Sequence, residues 1–161
     1  STLCVKENFN SADENDICQV NSQRSFSSSG APVQVTNIRQ TAAGKDSTRF
    51  TFTVQNMGKG KVYKMENACQ DKSGIEGKIY VEILDITSSG GADSVSCTGL
   101  SEGTGSSGYV TLSEDIPSKD ITCKVAITNR NDRLQPFKVK LTYDYSEFIE
   151  TKIVVQHEEK D

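Results

Sequence analysis

Apolar and polar positions alternate along much of the chain. The alternation is strictest in "RFTFTVQN", where Phe50, Phe52 and Val54 fall on one side and Arg49, Thr51, Thr53 and Gln55 on the other. A period of two is what a β-strand with one buried and one solvated face requires. The period recurs in "VQVTNI", with Val33 and Val35 on one face. In "KIYVEIL" it turns Ile79, Val81 and Ile83 inward and Tyr80 and Glu82 outward. "YVTL" reads as a short peripheral strand. "ITCKVAI" is predicted to bury Ile121, Cys123, Val125 and Ile127, leaving Thr122 and Lys124 in water. "FKVKLTY" is predicted to bury Phe137, Val139, Leu141 and Tyr143 against an exposed Lys138, Lys140 and Thr142. "FIETKIVV" follows the brief piece "DYSE", so these last two runs are expected to form a hairpin. About seven strands without a competing helical period predict an all-β fold, an antiparallel sandwich.

Two stretches depart from that pattern. Residues 1–32 are polar and rich in Ser and Asn, with no apolar periodicity, and read as an extended N-terminal arm. Pro32 marks the boundary, so the expected division is an arm over 1–32 and a β-sandwich domain over 33–161. Between Thr87 and Gly108, Gly and Ser dominate and favour loops, although Val95 to Cys97 has the makings of a short edge strand. The arm is expected to be ordered by packing on its own domain or on a neighbouring copy. Strand addition is one route to the latter, with "APVQVTNI" or the arm before it as donor.

Composition narrows the function classes. A chain of 161 residues suits one core, and 34% hydrophobic residues without Trp still fit a sandwich, because half of each strand faces water. Eighteen Lys plus Arg against 22 Asp plus Glu give a net charge of −4, and no Lys/Arg block supplies a nucleic-acid footprint. No run approaches the roughly 18 apolar residues of a membrane helix. No charged-then-apolar signal peptide opens the chain; whether a leader or membrane anchor was removed from it is left open by the sequence.

The five cysteines, Cys4, Cys18, Cys69, Cys97 and Cys123, include no C-x-x-C pair, and there is one histidine, so zinc-ligand spacing is missing. Disulfides in an oxidising compartment are the expectation; free buried thiols of a cytosolic protein are the competing reading. Cys97 and Cys123 each share a face with a core Val, which suits a buried bridge. Cys4 and Cys18 would close a ring of about 15 residues, contributing roughly 3 kcal/mol. Cys69 is then left as a buried free thiol or an intermolecular partner, unless it pairs with Cys4 or Cys18.

Catalytic signals are weak. His157 stands alone near the C-terminus, with no G-x-S-x-G elbow to serve, and reads as an exposed tail residue. "AAGKDST" fails the phosphate-loop pattern at Arg39 and Asp46 and reads as a hairpin turn, as does "GKGK". Asp13, Glu14 and Asp16 offer hard oxygens to Ca²⁺ but lack EF-hand spacing, so a solvated charged loop is the competing reading. No N-x-[ST] sequon occurs, and "NAC" at Asn67 is the rare cysteine variant. No catalytic residue and no cofactor are expected.

"RFTFTVQN" running into "MGKGKVY", together with "FKVKLTYDYSEFIETKIVV", resembles CARDB-type and related immunoglobulin-like domains of prokaryotic, especially archaeal, surface proteins. The resemblance covers roughly residues 33 to 156 and carries over no catalytic residue. It implies an immunoglobulin-like sandwich used outside the cell for adhesion, spacing or assembly. The leading expectation is therefore a non-catalytic structural subunit of a cell-surface fibre or layer, partnered by copies of itself or other surface proteins. The alternative is an adhesive or carbohydrate-binding ectodomain of a membrane-anchored protein, with loop 87–108 or surface aromatics such as Tyr80 and Tyr109 meeting a glycan.

Overall fold

A computed structural model of the chain describes residues 1–11, 13, 15–26, 30–66, 69, 73–86, 92–128 and 131–155. These residues form no helix and twelve strands: β1 (Thr2–Val5), β2 (Ser22–Arg24), β3 (Val33–Ala42), β4 (Ser47–Asn56), β5 (Lys61–Tyr63), β6 (Lys78–Leu84), β7 (Ala92–Thr98), β8 (Ser107–Thr111), β9 (Ser118–Ile127), β10 (Arg133–Pro136), β11 (Lys138–Thr142) and β12 (Asp144–Ser146). All pairings are antiparallel. The largest sheet has the order β2-β3-β4-β9-β7; a three-stranded sheet has the order β11-β6-β8; β1-β10 and β12-β5 are two-stranded.

The period-two runs do turn one face inward. Phe50, Phe52, Val54, Ile121, Cys123 and Val125 of the five-stranded sheet are fully buried, as are Ile79 and Val81 of the three-stranded one. They meet in one contiguous cluster. Phe137, between β10 and β11, lies 4.9 Å from Phe50 ring to ring and so joins the smaller sheets to the larger.

β3 runs longer than its pattern suggested because its phase slips. Val33 turns inward, but after a bulge between Thr36 and Arg39 the inward residues are Ile38 and Gln40. Asn37 absorbs the extra residue at φ 53°, a left-handed conformation Asn tolerates better than most residues.

The first 32 residues supply two of the strands. β2 pairs with β3, β1 pairs with β10, and Leu3, Cys4, Val5, Phe9 and Val20 lie in the core cluster. "APVQVTNI" is not a free donor: it opens β3, which is held between β2 and β4. A disulfide joins Cys4 to Cys18, with Cα atoms 5.6 Å apart.

Gln40 fastens β1 to the five-stranded sheet. Its Nε2 donates to the Cys4 carbonyl (2.8 Å) and to Thr48 Oγ1 (2.9 Å), and its Oε1 accepts from the Cys4 N–H (2.8 Å), all in the buried interior. One amide side chain thus satisfies both backbone groups of a fully buried residue.

The expected hairpin at the C-terminal end is not formed. Residues of "DYSE" extend as β12 along β5 instead of turning, and residues 148–155 form no strand. With no described strand on that side, Val139, Leu141 and Tyr143 are half-buried, where the pattern had placed them in the core.

Gln40→Met keeps the shape but removes both Cys4 bonds. We expect it to lower the unfolding free energy by about 2–4 kcal/mol, the cost of stranding two buried backbone groups. A shift of the denaturant midpoint at unchanged slope would show it.

Candidate interaction edge

Backbone N–H and C=O groups of a strand point alternately to its two sides, and this fixes what each side of the chain from Arg133 to Ser146 can do. Phe137 exchanges both bonds with Ser1, its N–H donating at 2.9 Å and its carbonyl accepting at 3.2 Å. Odd-numbered residues therefore face β1. In β6, the Ile83 N–H turns to Ser106 on the β8 side (3.0 Å), so Glu82 and Leu84 face β11, opposite Lys140 and Lys138. Even-numbered residues therefore face β6. β5 obeys the same parity: Val62 turns its carbonyl to Gly77, and Tyr63 and Lys61 stand opposite Asp144 and Ser146.

On the odd side, no described strand pairs with Val139 or Leu141, and β11 ends its sheet. Their N–H and C=O groups form an open edge, and their side chains turn toward the core without being covered. Outward, Lys140 pairs with Glu82 (3.4 Å) and Lys138 with Asp85 (3.1 Å), which leaves charge on the solvent face.

β12 is pinned where it ends. The Tyr145 hydroxyl accepts the Gly60 N–H at 2.7 Å, and its ring fills the space where a Cβ on Gly58 or Gly60 would stand. That close approach explains the two glycines of "MGKGKVY". Asn56 closes the same turn, accepting from the Gly58 N–H (3.0 Å) and donating to the Gly60 carbonyl (3.1 Å). The glycines line a cleft of about 260 Å³ with Lys61, Glu76 and Leu112.

Beyond Ser146 the chain presents Phe148, Ile149, Ile153, Val154 and Val155 to solvent, each at least 81% exposed. The sequence pattern predicts a strand for this run, and residues 148–155 form none.

The other sequence candidates fall elsewhere. Cys97 and Cys123 are bonded across directly paired positions of β7 and β9, with Cα atoms 4.0 Å apart. The Cys97 N–H points away from β9 to Gly105 (2.7 Å), as expected of a non-hydrogen-bonded pair, the closer kind. Cys69 is free and half-buried. Tyr80 and Tyr109 pack together at 5.0 Å on β6 and β8, and the Tyr109 ring already receives the ammonium groups of Lys64 (4.8 Å) and Lys78 (5.5 Å). Glu14, Asn67, His157 and residues 87–91 of the Gly/Ser stretch lie outside the described residues.

Around Asp13 and Asp16 the cation in place is an ammonium group. Buried Lys6 bonds the Asp16 carboxylate and the Ser11 carbonyl, and Asp16 also accepts the Asp13 N–H (2.9 Å). Among the described residues no three His, Cys, Asp or Glu side chains converge as a metal site would need. No family model matches this chain and no curated protein matches its sequence.

The Lys6 hydrogen bond, then that of the Asp13 N–H, holds the Asp16 carboxyl below its ordinary value of 3.8. A carboxyl with a depressed folded pKa contributes its stability in full above the unfolded value and loses it as pH falls through the folded one. Compared with Asp16→Asn, the native chain should be the more stable near neutrality. The gap should close on acidification from about pH 5 downward, as read by denaturant unfolding at each pH.

Proposed function

We propose that this chain is a non-catalytic extracellular module that assembles with copies of itself or with other surface proteins into a cell-surface fibre or layer. In this reading the five-stranded sheet is one layer of an immunoglobulin-like sandwich and the smaller sheets form the other. The carrying observation is the coexistence on one chain of the open β11 edge and the exposed apolar run 148–155. An unpaired edge is a template for another strand, and contiguous apolar surface of this kind marks an interaction site. Each such side chain removed from water contributes about 1.5–3 kcal/mol at full burial.

Two disulfides in one small chain are consistent with an oxidising environment outside the cytoplasm. The resemblance to surface-protein domains points the same way. A donor run and an acceptor edge are different surfaces, and a contact between unlike surfaces is the kind an open-ended fibre or layer requires.

Light scattering over a rising concentration series should give masses climbing above the 17.6 kDa of one chain. A strictly monomeric species throughout would defeat the assembly reading. In native material, alkylation without reductant should label Cys69 alone; five reactive thiols would remove the extracellular assignment.

A further inference from the structure

We propose that residues 149–155 of one copy add as an antiparallel strand to the open edge of β11 in a second copy, extending its three-stranded sheet to four. The inference rests on the assembly reading above and names the contact that carries it.

The donor has the right two faces. In an extended conformation Ile149, Thr151, Ile153 and Val155 share one side, and Glu150 and Lys152 lie on the other with Phe148 and Val154. The acceptor is matched in parity. At Val139 and Leu141 the free N–H and C=O groups belong to the residues whose side chains turn toward the core. Directly opposed residues of an antiparallel pair share a face. Setting Ile153 opposite Leu141 places Val155 opposite Val139 and Thr151 opposite Tyr143. This register completes the half-covered core side, and on the outer face it sets Glu150, Lys152 and Val154 opposite Asp144, Thr142 and Lys140.

A second copy is the acceptor, because the chain's own edge is poorly placed to receive this segment. Asp144–Ser146 is held against β5, with Tyr145 bonded to Gly60. Folding back in the same register would need a three-residue turn of Ser146, Glu147 and Phe148. Such turns set their last residue in the left-handed region, normally occupied by Gly, and here that residue is Phe148. Strand addition between copies requires no bend at all and supplies affinity through backbone bonds and alternate side-chain pockets.

Cross-linking between two labelled chains tests this. In a Cys69→Ser background, Leu141→Cys chains are mixed with Ile153→Cys chains and oxidised mildly, the opposed positions being within bridging distance if the register holds. A mixed disulfide dimer is expected. In the chain carrying both cysteines, an intrachain Leu141–Ile153 bridge in a monomer would overturn the proposal in favour of self-closure. Ile153→Asp, at an exposed position that the monomer's fold does not use, should weaken assembly at least tenfold. If that variant assembles like the native chain, this contact is wrong while the assembly reading stands; if the native chain never associates, the assembly reading itself fails.

Discussion

A strand residue offers its backbone groups to one side only, and the chain from Arg133 to Ser146 uses that restriction twice. Its odd positions bond β1, and its even positions bond β6 and then β5. Three otherwise separate pieces are thereby set in register with one another. Phe137, at the joint between β10 and β11, carries the arrangement into the main core through its ring contact with Phe50. The same parity decides where the molecule is unfinished, since the odd positions beyond Phe137 have no described strand beside them.

The all-β class was legible because strong period-two runs such as Phe50/Phe52/Val54 and Ile79/Val81 coincide with what the sheets bury. Local pattern failed where burial is set from two sides or by a phase shift. β1 buries Leu3, Cys4 and Val5 in succession, leaving no alternation to read. The bulge at Asn37 moves the inward face from odd to even residues, so the pattern of β3 breaks although the strand continues. The pattern reads a run from Phe137 and a turn in place of β12, and gives no sign of β10, because partners fifty or more residues away determine where each piece pairs. The open edge is of the same kind: Val139 and Leu141 have the spacing of core residues, and only the sheet order shows that no described strand lies on one side.

The first 32 residues look unstructured by composition yet are bound in by three unlike devices. A disulfide closes the ring from Cys4 to Cys18, Gln40 stands in for a missing ladder partner, and Lys6 neutralises Asp16 within that ring. None of these rests on hydrophobic periodicity. Polar residues can order a segment in this way when each buried group finds a specific partner.

The seat of Tyr145 on the Gly58–Gly60 turn has a mechanical side. Tension applied to the chain beyond Ser146 would first meet the short β12-β5 ladder and the hydroxyl anchored on Gly60. From there the load would travel through the Asn56-closed turn into β4, at the centre of the largest sheet. A tug on this end is thus delivered to the most extensively paired strand of the molecule, bypassing the exposed rim.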